Sequence, residues 1–241
     1  MRLLTIALFV ILSGCANMEA MMPWIKTGAQ TASAMGYDGG DKVANAVKQA
    51  LDISSTRATT ALSAEGGYAA SGYKLRFPAQ VASMTSTLRQ FGMGAYVDKV
   101  ENAMNGAAEQ AAAEAAPLFK QAIANMEITD ALGIVTGGNS AATDYFRSQT
   151  ETSLRGKYET IVTAELKKTG FHDQYRAMID VYNNLPIADK PSIDVESYVV
   201  DQGLNALYAH MAAEEALIRQ DPVGRGSALI GVIFAGQQQQ P

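Results

Sequence analysis

Cysteine and histidine are scarce in this chain: the 241 residues contain one cysteine, Cys15, and two histidines, His172 and His210. One cysteine cannot form a disulfide within the chain. Neither histidine completes the His-Glu-x-x-His pattern of zinc proteases or the Glu-x-x-His pattern of di-iron bundles. His210 and Glu214 lie one helical turn apart, where a hydrogen bond is a simpler interpretation than half of a metal site. The sequence therefore predicts no metal site and no cofactor.

Basic charge is also limited, with 19 Lys and Arg against 24 Asp and Glu and a net charge of −5. Neutralising phosphates requires a basic face, so nucleic acid is not an expected partner. The chain lacks the Gly-x-Ser-x-Gly nucleophile elbow, the Gly-x-Gly-x-x-Gly fingerprint and the Walker loop. Pairs of carboxylates have no sequence signature, but these absences favour a non-catalytic role over an enzymatic one.

Long hydrophobic runs are absent except at the start of the chain, where Leu3 to Leu12 are apolar apart from one threonine. This run is about half of the roughly 20 residues that a membrane-spanning helix needs. Arg2 precedes it, and the small residues Ser13 and Gly14 follow it. A basic residue, a short apolar segment and small residues in this order predict a secretory signal peptide.

The lone cysteine directly follows this segment, in the sequence Leu12-Ser13-Gly14-Cys15. These four residues resemble the lipobox of bacterial lipoproteins. The resemblance implies cleavage before Cys15, attachment of diacylglycerol to its sulfur and acylation, for example with palmitate, of the new amino terminus. Two or more acyl chains anchor a protein stably, whereas one chain binds a membrane only marginally. Ala16 after the cysteine implies the inner leaflet of the outer membrane, facing the periplasm. The alternative is a conventional cleavage site that happens to lie beside a cysteine.

The chain divides by composition into four predicted segments. Residues 1–14 are the lipoprotein signal peptide, residues 15–40 are the lipidated N-terminus and a tether, residues 41–235 are a single helical domain, and residues 236–241 are a disordered tail. Apolar residues recur every three or four positions through the third segment. The predicted fold is mainly α, an irregular bundle of about eight helices with at most one short strand or hairpin near residues 73–77.

Several helix signals in this domain are local. Thr129 is a predicted N-cap, since short polar side chains accept hydrogen bonds from first-turn N–H groups, and Ser140 and Asp194 are predicted to start two long helices. Residues 106–116 are almost all small, which allows close approach of another helix or of a second copy of the chain. Pro117 follows them and predicts a kink or a division of the helix, because proline lacks a backbone N–H.

Phrases in five parts of the chain share a resemblance that extends over about residues 45–235. They are LRQFGMG (residues 88–94), MNGAAEQAAAEAAPLFKQAI (104–123), AATDYFR (141–147), YVVDQGLNALY (198–208) and EEALIRQDPVGRGSALIGVIF (214–234). Together they resemble the domain-of-unknown-function family numbered 4197, a family of bacterial lipoproteins. The resemblance implies a helical periplasmic domain and supplies no reaction.

The same resemblance highlights a set of polar residues, which we call the polar set. Its members are Arg89, Asn105, Glu109, Thr143, Tyr145, Arg147, Glu215, Arg219, Asp221 and Arg225. One hypothesis is a shared cleft in which arginines meet an anionic ligand or the carboxylates of a partner. The other is structural, with these side chains serving as helix caps and as ion pairs between helices.

The predicted function is therefore a lipid-anchored periplasmic domain that binds an envelope protein or a small anionic ligand without catalysis. Two alternatives remain open. One is a hydrolase or transferase that uses paired carboxylates, which would show carboxyl groups with raised pKa values converging in a pocket. The other is a carrier of an apolar ligand, which would show a continuous apolar cavity of several hundred Å³.

Overall fold

The computed structural model describes residues 39–128, 131–185 and 194–234. Cys15, the predicted cap Thr129 and the predicted tail from residue 236 lie outside these ranges. The chain divides into two compact units, Met1–Lys42 and Val43–Pro241. Only residues 39–42 of the first unit are described, and all other described residues belong to the second.

The described residues form eight α-helices and no strand, which confirms the mainly α prediction. The helices are α1 (Gly39–Ser63), α2 (Ala82–Gln90), α3 (Gly94–Asn125), α4 (Ala131–Thr136), α5 (Ala141–Lys168), α6 (Phe171–Asn183), α7 (Val195–Gln220) and α8 (Ala228–Phe234). A 3₁₀ turn, Ala79–Val81, precedes α2, and a π turn, Pro222–Gly226, joins α7 to α8. Within the described ranges, no helix has the length and apolar character required to cross a membrane.

Helix α3 lies at the centre of the bundle and packs on α5, α6 and α7. Its small-residue stripe is buried within this chain: Ala107, Ala108, Ala111, Ala112 and Ala115 are all fully inaccessible. Side chains without bulk let neighbouring helices approach closely, toward the short end of the usual 8–10 Å interaxial range. The stripe therefore packs internally.

Three aromatic rings mark the point where α3, α5 and α7 meet. The rings of Phe119, Phe146 and Tyr208 lie with centroids 5.6–6.1 Å apart in tilted or edge arrangements. Such pairs contribute about 0.5–1.5 kcal/mol beyond their buried area. This cluster fixes how the three long helices cross.

Helix α3 continues through Pro117, so of the predicted kink or division the division is wrong. The missing N–H of Pro117 leaves the carbonyl of Ala113 without its helical partner. Both residues are exposed, so water can bond that carbonyl. Ala115 and Phe119, on either side of Pro117, are buried in the core, and this packing holds the helix together at the proline.

The strand predicted near residues 73–77 is absent, and the segment is irregular. Its backbone bonds a side chain instead of a second strand. Leu75 N–H donates to Asn105 Oδ1 at 2.9 Å, and Asn105 Nδ2 donates to Leu75 C=O at 2.8 Å. A carboxamide thus replaces the partner strand that the alternating sequence pattern predicted.

Candidate functional site

Glu215 on α7 is the most deeply buried carboxylate of the polar set, with 1% of its surface exposed. It accepts hydrogen bonds from Ala142 N–H at 3.0 Å, Thr143 N–H at 2.8 Å and Thr143 Oγ1 at 2.7 Å. These N–H groups lie in the first turn of α5, where no partner exists within the helix. The helix begins next to Ser140, as predicted, but the side chain of this N-cap residue makes no capping bond. Glu215 therefore caps α5 from another helix, where its charge also complements the helix dipole.

Arg219 lies one turn after Glu215 and bonds the same carboxylate. Its Nε and Nη2 donate to Glu215 Oε1 at 2.9 and 2.8 Å. The guanidinium also donates to the carbonyls of Val135 and Ile134, at 3.0 Å each, and lies 4.9 Å from the ring centre of Phe234. One arginine thus joins the end of α4 to α7, α8 and, through Glu215, α5.

Both oxygens of Glu215 are fully engaged by these donors. A carboxylate offers about four lone-pair sites, and five hydrogen bonds from Ala142, Thr143 and Arg219 occupy them. No site is left to accept a proton from a substrate. The arrangement is suited to holding helices together and not to general base chemistry.

Arg147 on α5 belongs to a separate group of contacts. Its Nη2 and Nε donate to Glu151 at 2.7 and 3.2 Å, and Nη2 also donates to Asn205 Oδ1 at 2.7 Å. The guanidinium lies 5.0 Å from the ring centre of Tyr208. The hydrogen bond raises the pKa of Arg147 and lowers the pKa of Glu151, because each charge stabilises the other.

Asn105 and Glu109 lie on α3 and hold the connection between α1 and α2. Besides its two bonds to Leu75, Asn105 donates to the carbonyl of Glu101 at 2.7 Å. Glu109 accepts from the N–H groups of Tyr68 and Ala69 at 3.1 and 3.2 Å. Their side chains satisfy backbone groups at residues 68–75, a part of this connection that contains turns and irregular backbone but no helix or strand.

The remaining members of the polar set bond other partners. Arg89 Nη2 lies 2.8 Å from Asp98 at the start of α3, and the Tyr145 hydroxyl donates to the carbonyl of Glu127 at 3.0 Å. Asp221 accepts from the N–H of Gly224 at 2.9 Å and caps the π turn. Arg225 lies in the same turn, with Nη1 3.9 Å from a carboxylate oxygen of Glu214 and its carbonyl bonded by Arg57.

The structure thus joins Thr143, Glu215 and Arg219 directly. The other seven members of the polar set are distributed among different groups of contacts, and each arginine bonds its own partners. Sequence reasoning missed the partners of Arg147. The i,i+4 spacing of Arg147 and Glu151 was a usable signal, whereas Asn205, 58 residues later in the chain, gave none.

The open grooves at the surface of the described residues include one beside α5 and one beside α7. The first has a volume of about 390 Å³ and lies between the end of α3 and the first half of α5. The second, of about 230 Å³, lies between residues 72–74 and α7, and its lining includes Tyr73, Lys74 and Asn205. Within the described ranges, no three His, Cys, Asp or Glu side chains are grouped so that they could hold a metal ion.

Fold and site together define an all-α domain whose buried polar side chains join its helices. The chain belongs to the family described as "Protein of unknown function (DUF4197)", whose model matches residues 39–235. This match confirms the family resemblance of the sequence. No curated protein and no solved structure matches the chain.

Proposed function

We propose that this protein is a lipid-anchored binding module of the bacterial cell envelope, held through Cys15 at the inner leaflet of the outer membrane and facing the periplasm. It acts by binding a partner or ligand and not by catalysis. Anchoring rests on the signal-peptide pattern and the lipobox resemblance at residues 12–15.

The observation that carries the non-catalytic part is the saturation of Glu215. A carboxylate-dependent hydrolase or transferase needs a carboxyl group with free lone pairs in a pocket and a pKa raised toward neutrality. Glu215 has five internal hydrogen bonds, and the carboxyl pKa of Glu151, beside a guanidinium, is lowered. These features support binding over proton transfer.

The grooves argue against the apolar-carrier alternative. A carrier encloses its ligand in an apolar cavity. The larger groove is open, and its rim carries carboxamide, hydroxyl and charged side chains. An open, polar groove supports a ligand that makes hydrogen bonds.

Metabolic labelling with radioactive palmitate tests the anchor. The full chain and a Ser13→Ala control, which keeps a small residue and the cysteine, should take up label and fractionate with the outer membrane. Cys15→Ala should lose both. Label that persisted in Cys15→Ala would contradict the proposed anchor.

Crosslinking in live cells followed by mass spectrometry tests the binding role. A reproducible crosslink between this domain and one defined envelope component is expected. Turnover of an envelope substrate by the purified full chain, abolished by Glu215→Gln under conditions where the variant is folded, would instead establish the enzymatic alternative.

A further inference from the structure

The larger groove has an apolar floor that runs along two helices. Its floor residues are spaced four positions apart along the end of α3 and the residue that follows the helix, and one buried residue of α5 completes the floor. They are Leu118, Ala122, Met126 and Leu154. Met126 and Leu154 expose only 7% and 3% of their surfaces. The volume of about 390 Å³ is within the range of small-ligand sites.

The walls of the groove are rows of uncharged hydrogen-bonding side chains. Gln121 and Asn125 lie one turn apart on α3, and Gln149 and Ser153 lie one turn apart on α5. Gln121 and Asn125 are exposed, and within the described ranges their carboxamides have no hydrogen-bond partner. A carboxamide carries a donor and an acceptor, as a peptide group does.

The spacing of these rows matches an extended peptide. Four residues of an α-helix advance about 6 Å. Two residues of an extended chain advance about 6.6 Å, and every second peptide group faces the same side. A peptide lying along the groove can therefore present successive backbone groups to Gln121 and Asn125 on one wall and to Gln149 and Ser153 on the other.

Opposite charges stand at the two ends of the groove. The bond from Tyr145 to the carbonyl of Glu127 places the end of α3 beside the start of α5. Lys157 lies on α5 two turns beyond Gln149, about 12 Å further along the helix. Within the described ranges neither Glu127 nor Lys157 forms an ion pair. A tetrapeptide extends about 13 Å, so its two charged termini can reach the two ends.

We propose that the groove between α3 and α5 binds a short extended peptide, with its C-terminal carboxylate at Lys157 and its amino terminus at Glu127. The inference deepens the proposed binding function and rests on it. Recognition is through the peptide backbone and its terminal charges. The apolar floor accepts small side chains from alternate positions of the peptide.

Other ligands fit the same groove less well. Sugar rings stack on aromatic side chains, and the lining residues include none. A purely apolar ligand would remove water from the carboxamides of both walls without replacing their hydrogen bonds. A polyanion would meet Glu127 and a chain of net charge −5.

Titration calorimetry of the full chain with defined probes tests the proposal. Tetra-alanine with free termini should bind, and its C-terminal amide should bind about tenfold more weakly, since a charge-assisted bond to Lys157 is lost. Tetra-N-acetylchitotetraose serves as the glycan probe and should not bind. Three results would overturn the proposal. The free acid and the amide could bind with equal affinity, neither peptide could bind, or the glycan could bind in place of the peptides.

Variants locate the binding within the groove. Lys157→Gln should weaken binding of the free acid about tenfold and leave the affinity for the amide unchanged. The variant should therefore no longer prefer the free acid over the amide. Lys167→Gln, which changes an exposed lysine later on the same helix, should leave both affinities unchanged. Gln121→Ala combined with Asn125→Ala should weaken both probes. All of these residues are exposed, so melting temperatures should stay near that of the wild type.

The outcomes separate this inference from the function on which it rests. If the groove variants leave binding unchanged while crosslinking identifies an envelope component elsewhere on the domain, the peptide site is wrong and the binding role stands. If Cys15→Ala retains palmitate while Lys157→Gln removes the acid preference, the anchor is wrong and the peptide site stands.

Discussion

Replacing Glu215 with glutamine is expected to destabilise the domain strongly while keeping the shape of the side chain. The carboxylate accepts three bonds at Oε1, two of them from Arg219, and two at Oε2. Glutamine has one acceptor oxygen and one NH₂ group, so the NH₂ group must face donors on one side. Arg219, with 11% of its side chain exposed, then keeps a buried charge without its counter-ion.

The magnitude follows from the burial of this ion pair. Removing one partner of a buried pair costs about 3–5 kcal/mol. For a domain of this size each kcal/mol lowers the melting temperature by about 2–4 °C. Glu215→Gln should therefore melt about 6–20 °C below the wild type.

Thermal unfolding of the full chain, followed by far-UV circular dichroism, measures this difference. Glu159→Gln is the matched control, because it makes the same chemical change at an exposed position of α5. The control should stay within about 0.5 kcal/mol of the wild type. If the two variants melted at the same temperature, Glu215 would not hold the helices together and the structural role assigned to it would be refuted.

Three further predictions concern other contacts. A Cβ at Gly203 would lie 2.7 Å from the Tyr158 hydroxyl, so Gly203→Ala should cost about 1–3 kcal/mol by urea denaturation. Adding Tyr158→Phe removes the nearest atom and should recover part of this loss, whereas no recovery would contradict the contact. Asn105→Ala should speed hydrogen exchange at the Leu75 N–H, which loses its acceptor; unchanged exchange would contradict the strand-like pairing. The hydrogen bond from Arg147 lowers the pKa of Glu151 in the folded protein. The wild type should therefore be more stable than Glu151→Gln above pH 4.5, and this difference should disappear as the pH falls through the lowered pKa of the folded state. A difference in stability that grew on acidification would contradict the pairing.

Helix starts were predictable where the signal is local. Asp194 caps α7 by accepting from the N–H of Ser197 at 3.0 Å, and Ser140 stands directly before α5. The capping preference of short polar side chains explains the position of Asp194, whereas the Ser140 side chain makes no capping bond. The small residues 106–116 likewise indicated close approach of another helix, and in the structure they pack inside the bundle.

Other features depend on contacts between distant parts of the chain. Glu215 caps a helix that begins more than 70 residues earlier, and no pattern in either segment indicates this. The alternation at residues 73–77 indicated a strand, but Asn105 supplied the hydrogen bonds from a helix. Local preference yields to tertiary context at both places.

The candidate site was predictable only in part. The family resemblance named Glu215 and Arg219, which do meet, but it could not show that their bonding capacity is used up inside the protein. The groove walls, by contrast, are exposed carboxamides such as Gln121 and Asn125. Single exposed polar residues resemble any solvated helix face until the neighbouring helix is in place.

Stability and binding are assigned to different residues of this domain: buried polar side chains hold the bundle together, and the α3–α5 groove is the proposed ligand site. Stability and binding can be measured in the same two variants, Glu215→Gln and Lys157→Gln. Stability is measured as the melting temperature. Binding is measured as the affinity for free-acid tetra-alanine at a temperature well below both melting points. The expected result is a lower melting temperature with wild-type affinity for Glu215→Gln, and a wild-type melting temperature with about tenfold weaker binding for Lys157→Gln. A Glu215→Gln protein that stayed stable and lost binding would contradict this division of roles.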